Sequence, residues 1–144
     1  MLLDTSGELL LNGVKALPTL IKPNSDEVRV LTHGNKSAED AAVNLYENGI
    51  PYVAVSQGKD GVLVVCKEGM FRGLTPDIPV VNTVGSGDSM LAGFAVGLCR
   101  GFSIEETIRF AVAVSTANAT HEETGFYRPE DLPPLLEQIS VRKL

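Results

Sequence analysis

Short apolar runs rich in β-branched residues recur along this chain, and stretches with helical spacing separate them; that alternation limits the fold more than any other feature. Met1-Leu2-Leu3 reads as a buried strand entering the turn Asp4-Thr5-Ser6-Gly7. A helix over about Glu8–Ala16 follows, with Leu10, Leu11, Val14 and Leu17 at helical spacing, and Pro18 ends it. Thr19–Lys22 is a second strand, closed by Pro23-Asn24, after which Ser25 is placed to cap a short helix over Asp26–Leu31. Ser37 caps another helix that Gly49 stops. Tyr52–Ser56 and Val62–Cys66 are further strands, and Lys67-Glu68-Gly69 is a hairpin connection into Met70-Phe71-Arg72. Beyond an irregular passage marked by Pro76 and Pro79, Gly85-Ser86-Gly87-Asp88 opens a helix carrying Met90, Leu91, Phe94, Ala95 and Leu98 on one face, and Gly101 ends it. Ser103 and Glu106 form a capping box for a helix reaching about Ala119, and Pro129 opens a last helix ending near Ile139. Strands alternating with helices in this order predict an α/β fold, a partly parallel sheet with helices packed on its faces. No repeat or interdomain linker breaks the 144 residues, so one domain is expected.

Charge and composition remove whole classes of function. Twelve basic residues stand against eighteen acidic ones, a formal charge of -6, and no Lys/Arg run offsets it. A nucleic-acid or anionic-membrane partner is therefore not expected. No apolar stretch approaches the roughly 20 residues of a membrane span, and the start Met1-Leu2-Leu3-Asp4 lacks the features of a secretory signal. Cys66 and Cys99 stand apart without metal-ligand spacing, and both read as core thiols of a reducing, cytoplasmic compartment.

The chemistry is expected at Asn82-Thr83-Val84-Gly85-Ser86-Gly87-Asp88-Ser89. Two glycines allow close backbone approach, and the helix that follows points free N–H groups back at them, an arrangement suited to an anion. Asp88 would repel a phosphate merely bound there; it makes sense as a base taking a proton from a hydroxyl that attacks the phosphate. The alternative is a turn whose acid complements the helix dipole. The Walker-type GxxxxGK[ST] is absent, and the dinucleotide pattern GxGxxG fails because Met90 stands where its third glycine belongs.

Asn82–Phe94 (NTVGSGDSMLAGF) resembles the second signature of the PfkB, or ribokinase-like, family of sugar kinases. Two further matches follow the family's order: Asn24-Ser25-Asp26-Glu27 is similar to its NxxE motif, and Ser56-Gln57-Gly58-Lys59-Asp60-Gly61 to its SxGxxG turn. The resemblance implies a three-layer αβα, Rossmann-like fold and ATP-dependent, Mg-requiring phosphoryl transfer to a sugar hydroxyl. It implies that Asp88 is the general base and that Gly85, Ser86 and Gly87 supply the anion hole. By the same resemblance Asn24 and Glu27 organise Mg and the nucleotide phosphates, the Glu through water, while Ser56, Gly58 and Gly61 approach the nucleotide with bare backbone. Asn118, in the helix on the family's adenine side, either contacts the base or is an ordinary helical Asn.

Asn82 stands where the family commonly has Asp, and Ser86 where it has Ala; the Gly-x-Gly-Asp core is intact. Asn82, the LDTSG opening and the KPNSDE segment point to the branch with 1-phosphofructokinase and tagatose-6-phosphate kinase, hence to a hexose phosphate such as fructose 1-phosphate or tagatose 6-phosphate. Family members run to about twice this length, and every match belongs to their C-terminal half. The expectation is a nucleotide-binding portion lacking the sugar-contacting half, inactive alone and prone to self-association. A non-catalytic nucleotide- or anion-binding module is the competing reading. His33 and His121 have no second ligand at metal spacing and read as surface or cap residues, and Asp4 as a turn former.

Overall fold

The computed structural model describes residues 1–32 and 37–144, so His33 lies outside the described residues. The chain forms two compact units. The first comprises Met1–Gly58, Val62–Arg72 and Lys143–Leu144; the second comprises Lys59–Gly61 and Gly73–Arg142.

In the first unit, β1 (Leu2–Leu3) leads through α1 (Gly7–Gly13) and a 3-10 turn to β2 (Leu20–Ile21). Helices α2 (Ser25–Leu31) and α3 (Ala38–Glu47) precede β3 (Tyr52–Ser56), and β4 (Val62–Cys66) and β5 (Gly69–Gly73) follow. Leu3 pairs with Ile21 and Ile21 with Val53, both in parallel, whereas β3 and β4 run antiparallel with Val55 opposite Leu63. The sheet is therefore mixed, as the helical crossovers before β2 and β3 and the short connection after β3 require. All five residues of β4 are buried, and its unbroken VLVVC pattern is what a strand covered on both faces must have. Ile21, Val53, Val55 and Leu63 pack with Ala41, Ala42 and Leu45 of α3 in one apolar cluster. The alanines let α3 lie close on the sheet.

The second unit is built on two long helices, α4 (Ser86–Arg100) and α5 (Ile104–Ala119). Apolar spacing put Leu91, Ala95 and Leu98 on the inner face of α4, but its buried residues are Met90, Gly93, Phe94 and Gly97. The two glycines are the reason. A Cβ at Gly93 would stand 2.5 Å from the Ala111 Cα, and one at Gly97 2.7 Å from the Thr107 Cγ2, so α4 and α5 touch nearly backbone to backbone along this line. Cys99, expected in the core, is exposed because it lies off that line in the last turn, while Cys66 on β4 is buried. The last helix, expected to start at Pro129, opens with a 3-10 turn over Pro129–Asp131 before α6 (Leu132–Gln138). A sixth strand, β6 (Val141–Lys143), had no readable pattern in Val-Arg-Lys; it ends the sheet order β1-β2-β3-β4-β5-β6. Its terminal residues return to the first unit, where the Leu144 N–H donates to the Met70 carbonyl at 2.8 Å.

Candidate active site

At the carboxyl ends of β2 and β3, in the first unit, the NxxE motif folds as a capping box. The Asn24 Oδ1 accepts from the Asp26 and Glu27 N–H groups at 2.9 Å each, and the Glu27 Oε2 accepts from the Asn24 N–H at 2.9 Å. Asn24, and not Ser25, is thus the N-cap of α2: its extended backbone directs the side chain over the first turn, which Ser25 has already joined. Asn24 also forms a parallel bridge with Ser56, and the Ser56 N–H donates to the Pro23 carbonyl at 2.9 Å. The structure therefore brings Asn24, Glu27 and Ser56 together where parallel strands end, the usual ligand-binding edge of an α/β sheet. Gly58 follows in a 3-10 turn, exposed, with open space around its α-carbon.

Beside this edge is a pair that sequence reading missed. The Lys22 ammonium, 6% exposed, lies 3.0 Å from the Asp4 carboxylate. Asp4 is thus an ion-pair partner rather than only a turn former. The signal was available in the parallel register: once Leu3 faces Ile21, the next residues, Asp4 and Lys22, leave their strands side by side.

In the second unit, Gly85 is the N-cap of α4 at φ 79°, left-handed backbone that a β-carbon disfavours. A Cβ there would also meet the Thr124 methyl at 2.6 Å. No side chain caps this helix. The Ser86 N–H donates to the Thr83 carbonyl and the Ser89 N–H to that of Gly85, whereas the Gly87 and Asp88 N–H groups have no backbone acceptor among the described residues. Gly87 and Asp88 are exposed. One turn thus presents two free N–H donors, the positive end of a helix of 15 residues and a carboxylate.

The loop before this turn is tied down by side chains. Asn82 donates through Nδ2 to the Glu122 carbonyl at 2.8 Å and accepts through Oδ1 from the Val84 N–H at 3.0 Å. Ser115 of α5 donates to the Ser86 carbonyl at 2.9 Å. Asn118 has no exposed surface. Its Nδ2 donates to the Val84 carbonyl at 3.0 Å and the Ser86 Oγ at 3.1 Å, and its Oδ1 accepts from the Gly125 N–H at 2.6 Å. The whole amide is spent inside the chain. Gly61 also belongs to this unit and is buried; a Cβ there would collide with the Gly73 carbonyl, so close packing alone accounts for a glycine at the end of the SxGxxG turn.

The His121 Nε2 lies 2.7 Å from the Asp131 Oδ2, and its ring stands edge-on to Phe126. That hydrogen bond, with a second from the Arg128 N–H, holds the Asp131 carboxyl below the usual carboxylate range. Among the described residues no cluster of three or more His, Cys, Asp or Glu is placed to hold a metal. A divalent ion that keeps most of its water and takes its other ligands from phosphates does not require one, and the Glu27 carboxylate fits such a role.

The chain matches the model of the pfkB family of carbohydrate kinases over residues 1–131. It is 35% identical to a 1-phosphofructokinase of Escherichia coli over 99% of this chain and 47% of that protein. It is 36% identical to a tagatose-6-phosphate kinase of Staphylococcus epidermidis over 97% of this chain and 47% of that protein. Among solved structures, phosphofructokinase-2 of Escherichia coli in complex with potassium superposes with a TM-score of 0.88 at 29% identity, over 94% of this chain and 46% of that one. A ribokinase of Thermotoga maritima gives 0.74 at 27% identity, over 83% and 42%. The fold is thus the ribokinase-like three-layer α/β arrangement that the motifs implied. The chain spans about half the length of the curated relatives it matches.

Proposed function

Because this chain belongs to the pfkB family of carbohydrate kinases, we propose that it is the nucleotide-binding and catalytic portion of an ATP-dependent sugar-phosphate kinase. The acceptor is a hydroxyl of a hexose phosphate of the fructose 1-phosphate or tagatose 6-phosphate type, the substrates in the names of its relatives. The observation that carries this reading is the first turn of α4, where unpaired N–H groups and the Asp88 carboxylate share one exposed surface.

Asp88 takes the proton of the acceptor hydroxyl as its oxygen bonds to the γ-phosphorus. The bond from that phosphorus to the β-bridging oxygen breaks, and ADP leaves. Within the Gly85-Ser86-Gly87 turn the Ser86 N–H is held by the Thr83 carbonyl, so the free Gly87 N–H and that of Asp88 beside it face the equatorial oxygens, where charge concentrates during transfer. Glu27 and Asn24 would hold Mg through water, and the ion would supply charge neutralisation on the phosphates. Ser56 and Gly58 line the nucleotide, and Gly61, buried against Gly73, shapes the turn without touching it. We place the sugar contacts outside these 144 residues, the chain alone as inactive and self-associating, and the protein in the cytoplasm, where its proposed substrates are made and used.

Calorimetric titration with MgATP, paired with an ADP-release assay on fructose 1-phosphate and tagatose 6-phosphate, tests the proposal. The expected result is weak nucleotide binding without turnover by the chain alone. No binding at about millimolar MgATP to a folded sample would remove the nucleotide site, since even a Kd of that size requires only about 4 kcal/mol. Robust turnover alone would show that the sugar contacts lie within the chain.

A further inference from the structure

Among the described residues Asn118 is the one buried asparagine, and it lies nearly four turns from the start of α5 with no opening to solvent. A buried amide normally persists only if its donors and acceptor are matched. Here each is matched to a different part of one loop system. Nδ2 holds the Val84 carbonyl and the Ser86 hydroxyl, on either side of Gly85, and Oδ1 holds the Gly125 N–H. Gly125 follows Thr124, whose methyl covers Gly85. Ser115, one turn earlier, fixes the Ser86 carbonyl.

We propose that Asn118 is a positioning residue of the anion turn: it sets the peptide planes on either side of Gly85 so that the Gly87 and Asp88 N–H groups converge on an incoming phosphoryl group. The role rests on reading that turn as an anion site. It also explains why an uncapped, glycine-rich helix start keeps one shape. The energy that a side-chain cap would supply comes instead from behind, leaving the front of the turn open. Removing the amide takes the partner from the Val84 carbonyl, the Gly125 N–H and the Ser86 hydroxyl at once, in part-buried surroundings, so the turn relaxes while the α4–α5 contact, formed further along at Gly93 and Gly97, persists.

The experiment titrates the isotope-labelled chain with sulfate, an anion that is not a nucleotide, and follows the Gly87 and Asp88 amide resonances alongside thermal unfolding. Asn118→Ala removes all three bonds; Asn118→Asp keeps the acceptor for Gly125 and loses both donors. Each is expected to weaken sulfate binding about tenfold or more, the worth of one to two hydrogen bonds. Ile108→Ala, a core truncation at the far end of α5, serves as a stability control and should lower the melting temperature while leaving sulfate affinity within about twofold. Unchanged sulfate affinity in a folded Asn118→Ala chain overturns the role. So does an equal loss in Ile108→Ala, or the absence of any sulfate response in the wild-type chain. Loss of MgATP binding with the sulfate response intact would sink the kinase reading and leave the role of Asn118 standing.

Discussion

Helices α4 and α5 have nearly the same length and pack along each other, yet they begin in opposite ways. The start of α5 is closed: Ser103 accepts from the Glu106 N–H, and Glu106 accepts from the Ser103 N–H and hydroxyl. Those bonds hold the Glu106 carboxyl below its ordinary range. The start of α4 has a glycine where the capping side chain should be, a left-handed backbone, and two N–H groups with no backbone acceptor among the described residues. Local stability explains the first arrangement and cannot explain the second. A helix end that forgoes a cap worth about 1 kcal/mol, while being braced from behind by Ser115 and Asn118, is what the proposed anion site requires.

The largest effect that sharpens this contrast is catalytic. In a preparation competent for transfer, Asp88→Asn should lower the rate by about 10² to 10⁴, the usual worth of a general base, and leave MgATP affinity nearly unchanged. The matching change in the other helix, Glu106→Gln, should leave the rate alone. Wild-type turnover by Asp88→Asn would falsify the base assignment.

Next in size is the contact that holds the two helices together. Gly93→Val places side-chain atoms against the Ala111 backbone, which cannot move aside as a side-chain end can. Overpacking of this kind costs about 1–3 kcal/mol or more, and thermal unfolding should register a drop of several degrees. An unchanged melting temperature would mean that the helices do not approach along that line.

Closing and opening helix starts gives a smaller effect. Ser103→Ala should cost about 1 kcal/mol through the lost cap, measured by denaturant unfolding, while an equivalent loss is impossible at α4 because no cap exists there to remove. The segment after α5 adds a pH test. Asp131 titrates lower folded than unfolded because of His121 and the Arg128 N–H. Its stabilisation is therefore complete above the unfolded carboxylate pKa of about 4 and is lost as pH falls through the lower folded value. Asp131→Asn should flatten stability in that acid window; an identical acid limb in wild type and variant would contradict the pairing.

The smallest effect concerns the thiols. Burial, aided by the Glu68 carboxylate, pushes the Cys66 thiol up to about 11, whereas Cys99 is exposed. Alkylation near neutral pH should modify Cys99 quickly and Cys66 only on unfolding. Two fast-reacting thiols would show β4 to be open.

Much of this was legible in the sequence, for identifiable reasons. The β3 and β4 runs, the Ser103 box, Gly101 and the Gly-x-Gly-Asp turn announce themselves through local chemistry, since the residues that fix each element lie within a few positions of it. What stayed hidden depends on residues far apart. Counting apolar residues could not find the buried face of α4, because that face is made by glycines chosen for a neighbour's backbone. Lys22 and Asp4 meet only through strand register. Asn118 reads in sequence as either a base contact or an ordinary helical Asn, and its amide is bonded instead to the loop ahead of α4 and the loop behind α5. The NxxE motif proves also to be a capping box, with Asn24 and not Ser25 as the N-cap of α2.

The central claim is that α4 begins open because a phosphate belongs there, and one titration tests it directly. MgATP added to the isotope-labelled chain should shift the Gly87 and Asp88 amide resonances saturably, with a single affinity, while the Ser103–Glu106 amides of α5 stay in place. Equal, non-saturating drift at both helix starts, or no shift at Gly87 and Asp88, would contradict the account.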